Sequence, residues 1–226
     1  MTLNDDLITH GIITGADLRG RRAATPSPDP AIDVAVTLRH ASEATIENTT
    51  IDGLGTSGGP WAGVKDIYGD SAAVRIIGDN IADTTTAVQA DGGLVYGNYI
   101  HSEMPGVGKV AGLESNNGTA PLVIEHNTIL TGASRAFAIG LFAGPDAQAN
   151  RYIDGNLLGG GSYVLYGGHS GTTPASNIQV TDNRFSTAYY PNGGYYGAAA
   201  HYRTGDPRNA WYGNFWDGTL APVPAP

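Results

Sequence analysis

The chain has no cysteine, so no disulfide can hold it together. Charge is sparse as well. Only 15% of the residues are Asp, Glu, Lys or Arg, and the balance is −9 with 12 Lys and Arg. Most of such a surface repels a polyanion, which argues against nucleic acid as a partner. No apolar run nears the roughly 18 residues of a membrane-crossing helix, so no membrane insertion is expected. Residues 1–6 carry two acids and lack the basic and apolar segments of a secretory signal. Three readings of that start stay open: action where the protein is made, travel on a particle, or a signal outside this sequence. Apolar spacing at 3.6 residues is missing, which removes the helices that a Rossmann fold or an α/β barrel needs.

What is present is strand-and-turn chemistry. The chain holds 33 Gly and 13 Pro, yet 41% of its residues are hydrophobic, which excludes a disordered chain. Val, Ile, Thr and Tyr come in short bursts between Gly, Asn and Asp. A length of 226 residues fits one all-β domain.

A repeat decides the architecture. The pattern apolar, two residues, Asn, one residue, apolar occurs as Val95-Tyr96-Gly97-Asn98-Tyr99-Ile100, Ile124-Glu125-His126-Asn127-Thr128-Ile129 and Ile153-Asp154-Gly155-Asn156-Leu157-Leu158. It returns as Val180-Thr181-Asp182-Asn183-Arg184-Phe185 and Trp211-Tyr212-Gly213-Asn214-Phe215-Trp216. Ile77-Gly78-Asp79-Asn80-Ile81-Ala82 is a looser copy with Asn80 in the slot, and Ile46-Glu47-Asn48-Thr49-Thr50-Ile51 puts Thr49 there. A faint eighth lies at residues 13–18. Slots from Asn98 onward are 29, 29, 27 and 31 residues apart, one solenoid coil of three strands plus a loop. Asn tolerates a left-handed backbone and bonds its own neighbours, so it is expected to make the bend; amides in register can also bond up the axis. The flanking apolar residues should stack inward, coil on coil.

The recurring Val-x-x-Asn-x-Phe type of pattern, with Tyr163-Val-Leu-Tyr-Gly-Gly168 and Tyr189-Tyr-Pro-Asn-Gly-Gly-Tyr-Tyr-Gly197, resembles the pectate-lyase-like β-helix superfamily over residues 40–218. It is similar above all to β-helix proteins of actinobacteria and to β-helical tail proteins of their phages. The fold expected is all-β, a right-handed parallel β-helix (solenoid) of about seven to eight coils. Residues 1–30 read as an N-terminal arm or cap, 31–218 as the β-helix, and 219–226 as an extended, weakly ordered Pro-rich tail. The resemblance to tail proteins implies a homotrimer and a place on a virion or outside the cell.

Chemistry is less concentrated. A second strand row at residues 112–115, 140–143 and 164–167 would point Leu113, Leu141 and Leu165 inward, leaving Glu114, Phe142 and Tyr166 as an outward column. The acids Asp66, Asp70, Asp91, Glu103, Glu114, Asp146 and Asp206 form no pair on matched positions of adjacent coils, whereas a glycosidase needs two facing carboxylates. His101, Glu103, Lys109 and Glu114 converge in one loop, so His101, Lys109 and Glu114 are the catalytic candidates if the protein is a polysaccharide lyase or hydrolase. Ca²⁺ is expected only in that lyase case, and otherwise no cofactor. Six His lack metal-ligand spacing, so no metal site is expected. Asp79, Asp154 and Asp182 read as turn acids, and His126 as solvent-facing.

Aromatics give the better signal. Nine of the 12 Tyr lie beyond residue 150. Phe142, Tyr166, Tyr189, Tyr190, Tyr195 and Tyr196 are the expected contact residues for a glycan or for partner subunits of a tail or surface assembly. Trp211 and Trp216, at inward repeat positions, are expected to plug the end of the core. The leading expectation is thus a non-catalytic structural or recognition module.

Overall fold

The computed structural model describes residues 2–4, 12–19, 34–53, 62–102, 111–116, 118–133, 135–142, 147–171 and 173–226. Within them lie 24 short strands and no helix. Every third strand joins the same sheet, giving three eight-stranded parallel sheets, numbered one, two and three from the strands Thr2–Asn4, Ile12–Thr14 and Asp17–Arg19 that begin them. Each coil therefore supplies one strand to each sheet, and eight coils stack into a parallel β-solenoid, as the repeat predicts.

Side chains account for the stacking. In sheet two the inward column runs Ile13, Ile46, Ile76, Val95, Ile124, Ile153, Val180, Trp211. Sheet three carries Leu18, Ile51, Ile81, Ile100, Ile129, Leu158, Phe185, Trp216. β-Branched residues suit such columns because their stiff side chains pack on a pleated surface. Each buried aliphatic side chain contributes about 1.5–3 kcal/mol.

The recurring Asn is the fold's polar spine. Asn98, Asn127, Asn156, Asn183 and Asn214 are all buried. The Asn127 Oδ1 accepts the backbone N–H and the Nδ2 of Asn98, both at 2.9 Å. The same pair of bonds joins Asn127 to Asn156, Asn156 to Asn183, and Asn183 to Asn214. Each Nδ2 also donates to a carbonyl of the previous coil, as Asn156 does to Ile124 at 2.9 Å.

Two details correct the expected register. The left-handed residue is one place before the ladder: Gly97, His126, Gly155, Asp182 and Gly213 have φ of 66, 55, 62, 53 and 68°. The Asn is thus the rung, and its predecessor makes the bend. On the third coil the rung is Asp79, whose amide donates to Asn98 Oδ1, while Asn80 pairs with Thr50 and Tyr99 one residue later. Asp79 is therefore a buried ladder residue rather than a surface turn acid.

The ends are also folded. Thr2–Asn4, Ile12–Thr14 and Asp17–Arg19 form the first coil, inside the span read as an arm, where the faint eighth copy lies. The Pro-rich tail, expected to be weakly ordered, turns back on the last coil. The Trp211 indole donates to the Val223 carbonyl at 2.9 Å, Val223 N donates to the Asn214 carbonyl, and the Val223 side chain is buried. Trp211 and Trp216 pack on Phe185 at 5.8 and 6.3 Å between ring centres, plugging the end of the core.

Candidate functional site

Sheet one builds the most distinctive surface. Its inward column is Val36, Val64, Val88, Leu113, Ile139, Leu165. The residue before most of these is small or branched and is buried too: Ala35, Ala87, Ala138, Val164. Two consecutive inward residues arc the strand, so outward residues three apart tilt toward each other. Tyr163 and Tyr166 meet in this way at 5.6 Å.

The outward column is Lys65, Gln89, Glu114, Gly140, Tyr166, Ala200. This corrects the expected row. Leu141 pairs with Ser115 and Gly167, not with Leu113 and Leu165, and Phe142 lies past the strand end. The two-residue offset arises because Gly140 takes the outward slot. Phe137 and Phe142 fold over that glycine: a Cβ there would stand 2.6 Å from each ring.

From Gly140 a continuous aromatic chain crosses coils six to eight. Phe137 touches Phe142 at 5.1 Å and Tyr166 at 5.8 Å, and Phe142 lies 5.6 Å from Tyr166. Tyr163 continues to Tyr196 at 5.6 Å, Tyr196 to Tyr195 at 4.8 Å, and Tyr195 to Tyr190 at 5.8 Å. Tyr195 and Tyr196 are 47% and 61% exposed, so these rings are offered to solvent rather than consumed by the core. The Arg135 guanidinium sits 3.9 Å over the Tyr195 ring. The Tyr190 hydroxyl donates to the Ala133 carbonyl at 2.8 Å, which pins the loop, and Tyr189 is half-buried.

At the edge of this chain lies a cavity of about 220 Å³ lined by Leu141, Phe142, Tyr166, Gly168, His169, Ser170 and His201. His201 stacks on Tyr166 at 5.7 Å. Burial, with the neighbouring Tyr163 and Tyr196 phenols, raises the Tyr166 pKa above its ordinary value, so its hydroxyl stays a neutral donor. The two histidines carried no signal in the sequence beyond their number. Only the pairing of coils seven and eight brings them together.

The catalytic candidates are dispersed. His101 ends a strand of sheet three, stacked on Tyr99 at 4.2 Å and 3.2 Å from Asn80 Oδ1. Glu114 stands on sheet one. Lys109, with Glu103 and Asp146, lies outside the described residues. Among the described residues one carboxylate pair occupies matched positions: Glu125 and Asp154 are register partners on coils five and six of sheet two. Neither is among the seven acids compared in the sequence; both stand just ahead of their bends, at the same place on adjacent coils. Asp154 is engaged by the Thr181 hydroxyl. Among the described residues no group of three or more His, Cys, Asp or Glu is placed to hold a metal ion.

A larger depression of about 560 Å³ lies over sheet two of the early coils, lined by Ile12, Glu43, Thr45, Ala73, Val74, Arg75, Gly93 and Leu94. The described residues that line it include neither a histidine nor an aromatic ring. The chain matches no protein-family model, no curated protein and no solved structure, so function is argued from this geometry.

Proposed function

We propose that the protein is a non-catalytic recognition module that binds a glycan chain along the outer face of sheet one. The observation that carries this reading is the unbroken series of rings from Phe142 to Tyr190, partly exposed, which crosses three coils and folds back onto Arg135 and Ala133. Aromatic faces with polar handles suit the apolar faces and hydroxyl rims of sugars. Together the rings form a contiguous aromatic patch across three coils, broad enough for several sugar rings. The polar stretch Lys65, Gln89, Glu114 continues the track toward the N-terminus. A stiff rod with one adhesive face suits a phage tail component or another surface-acting protein of the right-handed, pectate-lyase-like class, and that is the setting we assign to it.

The test is affinity electrophoresis of the full chain through gels containing a panel of polysaccharides. The Tyr195→Ala, Tyr196→Ala double variant should lose about 2 kcal/mol of binding, near thirtyfold, with little change in melting temperature. A large drop in melting temperature would show these tyrosines to be core.

The matched Glu125–Asp154 pair supports a second reading, a β-solenoid glycoside hydrolase acting on sheet two. Its hydrogen bond to Thr181 and its distance in the fold from the aromatic track make it the weaker one.

A further inference from the structure

The outer face of sheet one changes character at Gly140. Its outward column reads Lys65, Gln89 and Glu114 on one side of that glycine and Tyr166 and Ala200 on the other, one residue per coil. Along Ala62–Asp66 and Ala111–Ser115 the column residue is the one that is not buried. Glu114 and Gly140 are register partners, so their backbones lie about 4.8 Å apart. Gly140 puts no side chain between Glu114 and the rings of Phe137 and Phe142, which close over it. The carboxylate thus leaves the sheet at the border of the aromatic patch. It has no hydrogen-bond or ion-pair partner among the described residues, and the same holds for the Gln89 amide and the Lys65 amine.

Building on the glycan reading, we propose that this border selects an uncharged sugar: a ring lying against Phe142 and Tyr166 turns its hydroxyls to Glu114, and the same carboxylate repels carboxylated and sulfated sugars. A carboxylate accepts hydrogen bonds and donates none, so it suits hydroxyl donors and leaves an anionic substituent without a bond. Hydroxyl-to-carboxylate bonds are charge-assisted and about twice as strong as neutral ones. Gln89, the next residue of the column, adds a donor and an acceptor for a further hydroxyl. The permanent cations of the face stand away from this border. Lys65 is two coils from Glu114, roughly 10 Å. Arg135 sits over Tyr195, with Tyr196 and Tyr163 between it and Tyr166 in the series of ring contacts. The overall balance of −9 adds to the repulsion of an acidic chain. His201 stacks on Tyr166, so the test is run at about pH 8, above the ordinary imidazole range, which keeps histidine charge out of the comparison.

Matched polymers isolate the effect: dextran and hydroxyethyl cellulose, with carboxymethylated and sulfated forms of the same backbones, titrated against the full chain at low and at high salt. At low salt the neutral forms should bind at least about tenfold more tightly than the charged ones, and the gap should narrow at high salt as the repulsion is screened. Glu114→Gln keeps the shape and removes the charge, so it should close most of the gap, chiefly by raising affinity for the charged forms. Glu114→Ala should weaken neutral binding about fivefold or more, because the acceptor is gone. Asp217→Asn, which removes one negative charge at the end of sheet three, should leave the gap as it is. Charged forms bound as tightly as neutral ones by the wild type would overturn the selection and leave glycan recognition standing. A gap unchanged in folded Glu114→Gln, or closed equally by Asp217→Asn, would overturn the assignment to Glu114. Binding of none of the polymers would overturn the glycan reading itself.

Discussion

The backbone amide of Asp79 donates to the side-chain oxygen of Asn98 at 2.8 Å, which puts a carboxyl group into a column that amides fill on every later coil. Asp79 Oδ1 does what an Asn Oδ1 does, accepting the Thr49 amide at 2.7 Å. Its Oδ2 stands where the later coils have a donating NH₂, and it is buried with no hydrogen-bond partner among the described residues. Only a protonated carboxyl can donate from that position.

The first prediction follows from that substitution. Burial is the main cause that raises the Asp79 pKa to about 6, above an ordinary 3.8; the Thr49 amide opposes it and Glu47 adds to it. A raised folded-state value means that the fold prefers the protonated acid. Its contribution is fully present below about pH 4 and is lost as pH rises through about 6. The loss is roughly 2–3 kcal/mol. Asp79→Asn restores a donor that does not titrate, so urea melts across this range should show higher stability near neutrality and a flatter profile. A variant less stable than wild type at neutral pH would contradict the ladder assignment.

A second prediction concerns an ordinary rung. Asn156 makes four bonds, two accepted from Asn127 and two donated to Ile124 and Asn183. Asn156→Leu leaves buried partners unpaired and should cost about 2–4 kcal/mol. Asn192→Leu, at an exposed loop position, should stay within about 0.5 kcal/mol. Equal melting temperatures for the two would show that the ladder contributes little.

Arg151 offers a third. It takes an inward place between Leu122 and Ile178 and is fully buried. Burial lowers its pKa to about 10, partly offset by Asp91. Its guanidinium donates to Gln148 Oε1 at 2.7 Å, to the Gly118 carbonyl at 2.8 Å and to the Ala120 carbonyl. Arg151→Met should cost about 3–5 kcal/mol in a thermal or urea melt, because it orphans those acceptors and removes the cation near Asp91. A neutral result would mean that the 118–121 segment holds itself.

Legibility in the sequence tracked locality. The Asn slots and their inward neighbours were readable because each rung uses the same six residues, and the rung spacing equals the coil length. Asp79 was misplaced by one residue because Asn80, its neighbour, has the more familiar side chain; only the ladder bonds show which of the two points inward. The sheet-one register was less readable. Gly140 supplies no side chain to mark its outward slot, and the two inward residues per strand break simple alternation. The aromatic wealth of the C-terminal half was visible, whereas the joining of Tyr163 to Tyr196 and of His169 to His201 depends on loop lengths between coils that no local pattern records.

A fourth prediction is the absence of turnover. Incubation with acidic and neutral polysaccharides, with and without Ca²⁺, should release no reducing ends and no unsaturated products. Rate enhancements of at least about 10⁶ need several groups aimed at one bond, and the aromatic track offers rings where a second acid would have to stand. Activity abolished by Glu125→Gln or Asp154→Asn would promote the hydrolase reading on sheet two. Activity abolished by Glu114→Gln would place the chemistry on the track itself.

The most direct test of glycan recognition along sheet one is hydroxyl-radical footprinting of the full chain, read residue by residue by mass spectrometry, with and without a polysaccharide that it retains. Tyr163, Tyr166, Tyr195 and Tyr196 should be protected together. Tyr96, Tyr99 and Tyr212, which are 41%, 47% and 62% exposed on the other two sheets, should stay as reactive as in the free protein. Protection of Tyr96, Tyr99 or Tyr212 with the sheet-one tyrosines unchanged would contradict the account.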